Sequence, residues 1–273
     1  MHFEQAIRHV EREFLILREE LVAGKTDRWS VLSSAMTRHW NHCIENIALI
    51  EMQRPKATRV ETEADWNRVA RRVRSFSSPV FIVDVSAPDS ERIAFGDHWL
   101  SDAAKDRPML AVYDGLQTVG RSPHTNKHPL GSIVQTIEWA ERLAQRRNIE
   151  LIYDRLDTPG GYSLGGTIVA DSRLEGPEQA VLLLSLLARE VLAGVHRASP
   201  PGDVPGLDAV EAELVTHTTA TTAGLTSAPP QPQVPRLHDC GIVELIEMFR
   251  RVQRASSIIL EGLREGFCED LPV

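Results

Sequence analysis

The segment Leu182–His196 has the frame of a helix that could hold a catalytic metal ion, but it lacks the metal ligands. In a zinc-binding helix of the H-E-x-x-H type, two histidines four residues apart bind one ion, and the glutamate activates a water molecule. Glu190 matches that glutamate, whereas the two histidine positions hold Arg189 and Ala193, which offer zinc no donor atom. The pattern predicts a helix that has lost its metal. The alternative is an ordinary buried helix with an exposed Arg–Glu pair.

Composition and charge are those of an ordinary globular protein. The 273 residues are 42% hydrophobic and carry a net charge of −8, which argues against a surface coated with phosphate-binding charge but allows a local basic face. The first 14 residues lack the apolar core of a secretion signal, and the apolar run Ala180–Ala188 is too short to cross a bilayer. Three widely spaced cysteines indicate neither a disulfide framework nor a zinc site. We expect a soluble, reduced, cytoplasmic protein with no membrane contact.

Hydrophobic periodicity predicts an α+β chain. Apolar residues at steps of three and four predict helices over residues 3–22, 28–53, 61–73, 132–147, 182–196, 207–224 and 240–266. Runs rich in β-branched and aromatic residues predict strands over residues 79–85, 107–113, 150–156 and 166–170, with a glycine-rich turn at 159–165.

Two segments interrupt these elements and divide the chain. Residues 115–131 are rich in glycine, proline, serine and asparagine, and residues 228–235 are rich in proline. We therefore predict a helix-rich α/β domain over residues 1–120 and a second domain over 130–225. A linker over 226–237 and a long C-terminal helix over 238–273 complete the prediction.

A series of short motifs begins at His39 and runs to Pro88. A helix carrying Asn, apolar residues and Gln leads into a Pro-x-Ala-Thr-x-Val turn, a tryptophan, an Arg-Val pair and a strand ending in proline, and an Asp-x-x-Gln-Thr segment follows. The residues concerned are Asn46, Leu49, Ile50, Gln53, Pro55, Ala57, Thr58, Val60, Trp66, Arg72, Val73, Pro88, Asp114, Gln117 and Thr118. In this order the motifs resemble those of ArdC-type antirestriction proteins, and the resemblance extends over roughly residues 28–260. One departure is that a Gly-Arg pair of the family is replaced around Ala70–Arg72, where there is no glycine.

The resemblance implies a first domain that binds single-stranded DNA and a second, degenerate zincin-like domain of the ImmA/IrrE metallopeptidase kind. It makes Glu190 the general-base glutamate, and Glu213 or Glu211 the acidic third ligand. Because Arg189 and Ala193 replace the histidines, we expect no metal, no cofactor and no peptidase activity. We hypothesise that the Arg189 guanidinium pairs with one of the latter two glutamates and supplies the missing ion's charge.

Residues 54–74 form a basic segment in this acidic chain. Seven basic and three acidic side chains give the segment a net charge of +4. Arginines neutralise phosphates, aromatic rings stack on bases, and two amides seven residues apart on one helix offer hydrogen bonds from one face. The alternative is a solvated helix face with its tryptophans in the core. The predicted nucleic-acid contacts are Asn46, Gln53, Arg54, Lys56, Trp66, Arg71, Arg72, Arg74 and Tyr113.

These features together predict a non-catalytic protein that binds single-stranded DNA. A first alternative is an interaction module whose peptidase-like groove holds a peptide or partner protein without cleaving it. A second is a zinc peptidase with the atypical ligands Glu190, His196 and Glu213, although residues 190 and 196 lie about 240° apart around a helix axis. His124 and His128 flank a turn, so they do not predict a helical metal pair.

Overall fold

The computed structural model of the chain describes residues 2–84, 108–120, 132–198, 207–225 and 240–269, together with 230, 232 and 237. Within these residues the chain combines helices with small sheets and ends in a long helix, which confirms the α+β prediction. The helices are α1 Phe3–Val22, α2 Asp27–Arg38, α3 Ile44–Gln53, α4 Glu63–Arg68, α5 Ile133–Arg146, α6 Gly176–Ala198, α7 Leu207–Thr222 and α8 Ile242–Glu269. The strands are β1 Val60–Thr62, β2 Arg71–Val73, β3 Val80–Val83, β4 Met109–Asp114, β5 Thr118–Gly120, β6 Glu150–Asp154, β7 Gly161–Ser163 and β8 Thr167–Asp171, with a 3₁₀ turn at Gly115–Gln117.

The chain divides into two compact units. The first comprises Met1–His124 and Pro232–Glu247, and the second comprises Thr125–Gln231 and Met248–Val273. Helix α8 therefore contributes its first residues to the first unit and the rest to the second. Most of the predicted linker, together with His124 and His128, lies outside the described residues.

The first unit contains an antiparallel sheet of order β1-β4-β3 and a separate antiparallel pair, β2-β5. Val112 on β4 lies opposite Val80 on one side and Thr62 on the other. Helix α3 packs against β3, so that its apolar side chains meet those of the sheet. The shared core is formed by Ile50, Ala57, Val60, Val80, Ile82 and Val112.

The single helix predicted over residues 28–53 is wrong, because the chain forms two helices there. Helix α2 ends at Arg38, and α3 begins at Ile44 after a turn in which the His42 N–H donates to the His39 carbonyl oxygen. The apolar steps continue across the break, which is why periodicity alone predicts one helix. However, α2 and α3 pack against each other, which two halves of a straight helix cannot do.

The helix predicted over residues 61–73 is also shorter than expected. Thr62 caps α4, accepting a hydrogen bond from the Asp65 N–H, but the helix ends at Arg68. Ala70 then adopts φ +57°, a left-handed conformation that stops a helix, and the next three residues pair with β5. Trp66, predicted as a nucleic-acid contact, is fully buried, and Val69 is exposed.

The second unit has a three-stranded sheet in which β8 pairs in parallel with β6 and antiparallel with β7. Strand β7 lies within the segment predicted as a turn. Within the described residues, one helix is apolar and long enough to span a membrane: the window Gly176–His196 in α6 has a mean hydropathy of 1.4. Half of that window is buried, and α6 packs against α5 and α7, as a core helix of a soluble protein does.

Candidate nucleic-acid interface and peptidase-like helix

Two amide side chains on α3 form hydrogen bonds with the edge of β3 that does not pair with β4. The Asn46 amide donates to the carbonyl oxygen of Val83 at 2.9 Å and accepts from its N–H at 2.8 Å. The Gln53 amide donates to the carbonyl oxygen of Phe81 at 2.8 Å and accepts from its N–H at 3.0 Å. Because alternate residues of a strand point their backbone groups to the same edge, the two amides complete the hydrogen bonding of that edge. In this structure they are not available to a nucleic acid.

Trp66 is the centre of a buried cluster below the β2–β5 pair. Its side chain is fully buried, and the indole N–H donates to the carbonyl oxygen of Tyr113 at 2.8 Å. The guanidinium carbons of Arg59 and Arg71 lie 5.2 and 5.7 Å from the ring centroid. These distances are within the range of cation–π contacts, so the tryptophan serves the core instead of offering a face to bases.

Asp114 at the end of β4 holds the turn formed by residues 55–58 in place. Its carboxylate accepts hydrogen bonds from the backbone and the hydroxyl of Thr58, both at 3.1 Å, and from Arg54 Nε at 3.1 Å. Burial alone would raise the pKa of Asp114, but the hydrogen bonds from Thr58 and Arg54 outweigh it and hold the pKa below the ordinary value. Arg54, predicted to contact nucleic acid, is therefore engaged in an intramolecular ion pair.

Arg71, which precedes the Arg-Val pair, and the motif residue Gln117 extend the same cluster. Arg71 is buried, donating from Nε to Thr118 Oγ1 at 2.7 Å and from Nη2 to the Gly115 carbonyl oxygen at 3.2 Å. Gln117 donates to the Ser78 carbonyl oxygen at 2.7 Å. The motifs that carry the family resemblance are thus largely internal, and they hold the scaffold of the first unit together.

Three of the predicted contacts remain exposed: Lys56, Arg72 and Arg74. Arg72 lies opposite Val119 in the β2–β5 pair, and cross-strand partners project from the same face. Arg74 continues the pairing, since its N–H donates to the Gln117 carbonyl oxygen at 2.8 Å, so the period of two places it on the face of Arg72. Neither arginine forms an ion pair within the described part of the chain, whereas Arg59 and Arg68 are paired with acidic neighbours.

An exposed aromatic ring follows these arginines. The Ser77 N–H donates to the Arg74 carbonyl oxygen at 3.2 Å, closing a turn in which Phe76 occupies the third position with φ +65°. That position of the turn favours glycine, and a bulky residue in it lowers the stability of the fold by on the order of 1–3 kcal/mol. The Phe76 side chain is nevertheless fully exposed, at 104%. We define the β2–β5 surface as Arg72, Arg74, Phe76, Leu116 and Val119, all of which are exposed.

Sequence reasoning missed Phe76, although one signal was present. A large aromatic residue among serines, directly after a basic strand, is unusual for a turn, where small and polar residues predominate.

The glycine-rich turn donates hydrogen bonds to the carboxylate of Glu190 on α6. This buried carboxylate accepts hydrogen bonds from the Ser163 hydroxyl and from the backbone N–H groups of Gly165 and Gly166, the latter two at 3.1 and 2.8 Å. The two glycines have φ +65° and +103°, conformations that let both N–H groups converge on one carboxylate. The glutamate is thereby fixed in a structural role.

The hypothesis that Arg189 pairs with Glu213 or Glu211 is wrong, because Arg189 forms no ion pair with either glutamate within the described residues. Arg189 lies on the exposed side of α6, and Ala193 is half-buried. Glu211 is fully buried, and Arg251 on α8 binds it instead. Glu213, the other glutamate considered, is exposed.

His196 belongs to a small group of donor atoms between α6 and α7. Its Nε2 lies 2.6 Å from Glu211 Oε2 and 3.7 Å from Asp208 Oδ1, and one donor atom of each residue lies within 4.8 Å of the others. Glu190, bound to the glycine turn, and Glu213, which is exposed, are not members of this group. The structure therefore does not bring together the ligand set proposed for an atypical zinc peptidase.

By sequence, the chain matches no family model and no curated protein. By structure, it is similar to the metal-free crystal structure of the antirestriction ArdC protein from the R388 plasmid, with a TM-score of 0.51 and 10% identity over 94% of this chain and 98% of that chain. The Mn(II)-bound structure of the same protein gives 0.53 and 10% over 93% and 97%. The likeness confirms an ArdC-like fold over nearly the whole of both chains.

Proposed function

We propose that this protein is a non-catalytic DNA-binding protein of the antirestriction type, and that it holds single-stranded DNA on the β2–β5 surface. The fold likeness to the ArdC antirestriction protein supports the general assignment. The observation that carries the proposal is the fully exposed Phe76, held in a strained turn beside two arginines that form no ion pair within the described residues. Backbone strain that persists at an exposed position is characteristic of functional sites.

The chemistry of this surface suits a nucleic-acid strand. Arg72 and Arg74 project from one face about 7 Å apart along the strand and provide two fixed positive charges for phosphates. Phe76 offers a flat apolar ring, and stacking of a base on such a ring contributes about 1–3 kcal/mol. The exposed apolar side chains of Leu116 and Val119 lie on the chain that pairs with the arginines.

The exposed ring favours single-stranded over duplex DNA. A phenylalanine at the tip of a turn can stack only on a base whose face is accessible, and bases in a duplex cover each other's faces. Phosphates, by contrast, are available in both forms. The arginines therefore supply affinity for either form, and Phe76 supplies the preference for a single strand.

The absence of catalysis is part of the same proposal. Glu190 is engaged by three hydrogen-bond donors, and the helix positions of the two metal histidines hold an exposed arginine and an alanine. We also propose a cytoplasmic location, since the three cysteines are widely spaced in the sequence and neither Cys43 nor Cys240 forms a disulfide within the described residues.

Fluorescence anisotropy of labelled oligonucleotides across a salt series tests the proposal. We expect the wild-type protein to bind single strands more tightly than duplex, with affinity that falls as salt rises. The double variant Arg72→Ala/Arg74→Ala should bind about tenfold more weakly, with a shallower salt slope. The matched control is Arg8→Ala/Arg12→Ala on exposed positions of α1, which removes the same charge. Absence of binding by the wild type, or equal loss in both double variants, would refute the proposal.

A further inference from the structure

Glu211 is a fully buried carboxylate with partners on both of its oxygens. Arg251, itself only 8% exposed, places Nε and Nη2 at 2.9 and 2.6 Å from Oε1. His196 Nε2 lies 2.6 Å from Oε2. The three side chains come from α7, α8 and α6, so a single carboxylate links three helices of the second unit.

Such a carboxylate needs a positive partner. Burying an ionised group without compensation is strongly unfavourable, and a charge partner with direct hydrogen bonds offsets the loss of water. A guanidinium suits this role because it stays protonated at any physiological pH and donates from a rigid planar group. Arg251 thus gives Glu211 the compensation that a bound cation would otherwise provide.

The structurally similar ArdC protein also has an Mn(II)-bound crystal structure. We therefore considered whether a metal ion fits beside Glu211. His196, Asp208 and Glu211 have the donor types that transition metals accept, and their donor atoms lie within 4.8 Å of one another. A divalent ion on Glu211, however, would share the carboxylate with the Arg251 guanidinium, and the two positive charges would repel at close range. The residues present do not fit a metal while Arg251 remains in place.

We infer that the Arg251 guanidinium acts as a permanent internal cation that makes the second unit independent of metal and closes a His196–Asp208–Glu211 cation site. Two consequences follow. Divalent metal ions do not bind to the wild-type protein at this position and do not raise its melting temperature. Removal of the guanidinium leaves Glu211 without its cation and opens the site to zinc or manganese.

The first test uses the wild-type protein. After dialysis against EDTA, the full chain is incubated with Zn²⁺ or Mn²⁺, desalted and analysed for metal content and melting temperature. We expect no retained metal and the same melting temperature with and without EDTA. Retention of about one ion per chain, abolished by His196→Ala, would overturn the inference.

The second test removes the guanidinium. Arg251→Ala should melt at a lower temperature, recover part of the loss in zinc and retain about one ion per chain, because binding to the folded state stabilises it. Arg251→Ala/His196→Ala should lose this recovery, and Arg254→Ala, at an exposed position of α8, should resemble the wild type. If Arg251→Ala does not fold unaided, refolding in zinc followed by near-UV circular dichroism gives the same information. Failure of zinc to restore either stability or folding would contradict the inference.

Discussion

Arg71 and Arg72 are adjacent in the sequence but lie on opposite faces of β2. Arg71 is buried against Trp66 and Thr118, whereas Arg72 is exposed opposite Val119. The strand period of two thus divides a basic run into one structural and one solvent-facing arginine. Arg71 thereby belongs to the buried cluster around Trp66, and Arg72 belongs to the β2–β5 surface.

Substitution of Arg71 should lower stability, whereas substitution of Arg72 should lower DNA affinity. Arg71→Ala should destabilise the protein by about 1–3 kcal/mol, because it removes a buried hydrogen-bonding group, and should leave the single-strand affinity of the folded protein unchanged. Arg72→Ala should leave stability within about 0.5 kcal/mol and weaken binding. Urea denaturation and anisotropy on both variants check this, each serving as the other's control. If Arg71→Ala alone weakened binding, the assignment of the two faces would be incorrect.

Asn46→Ala should lower the stability of the protein and leave the DNA affinity of the folded protein unchanged. Asn46→Ala leaves the backbone N–H and carbonyl of Val83 without their side-chain partner at a buried edge, which should cost about 1–3 kcal/mol. Gln145→Ala, at an exposed position of α5, provides the control. Chemical denaturation measures the stabilities. A direct role of the amide in DNA contact would instead appear as lost affinity with unchanged stability.

Ala70→Gly should stabilise the protein. Ala70 adopts φ +57°, and relieving the strain of its Cβ outweighs the extra flexibility of glycine in the unfolded chain, giving a net gain of about 0.5–1 kcal/mol. Ala64→Gly, within α4, should do the opposite by about 1 kcal/mol. Thermal denaturation of both variants gives the comparison. A lower melting temperature for Ala70→Gly would show that this backbone position is unstrained.

Acid should destabilise the first unit through His39. Burial, together with the nearby charges of His42 and Arg38, lowers the pKa of His39 from 6.5 to about 4, and the side-chain Nε2 is buried without a hydrogen-bond partner among the described residues. The unfolded chain therefore binds more protons than the folded one between these two values. Stability contributed by neutral His39 is complete above pH 6.5 and is lost as the pH falls towards 4, by up to about 3 kcal/mol.

Denaturation at a series of pH values measures this loss. His39→Leu should flatten the pH dependence between 6.5 and 4, although not completely, since burial also lowers the pKa of His42. The exposed-site variant His9→Gln should keep the wild-type slope. An unchanged slope in His39→Leu would assign the acid sensitivity to other groups.

The sequence was sufficient for the fold class because amphipathic periodicity survives in several long helices, including α1, α5 and α8. It failed where tertiary packing overrode the local pattern. The break between α2 and α3 depends on the two helices packing together, and β2 depends on pairing with a strand 47 residues away, as Arg71 and Thr118 illustrate.

The candidate sites were harder to predict than the fold. Conformational strain at Phe76 depends on a backbone angle that a sequence does not state. The Glu211–Arg251 pair joins residues 40 apart, and no local spacing connects them. Basic, polar and aromatic residues in and near the basic segment 54–74 were predicted as contacts, but residue type alone does not tell an inward amide such as that of Asn46 from an outward one.

Photo-crosslinking reports directly on whether Phe76 contacts single-stranded DNA. A single-stranded oligonucleotide carrying 5-bromodeoxyuridine is irradiated in complex with the wild-type protein, and the crosslinked peptide is identified by mass spectrometry. We expect attachment within residues 72–76, at Phe76 foremost, with loss of this crosslink in Phe76→Ala and its retention in the control Phe81→Ala. Crosslinks confined to other parts of the chain, unchanged in Phe76→Ala, would contradict this expectation.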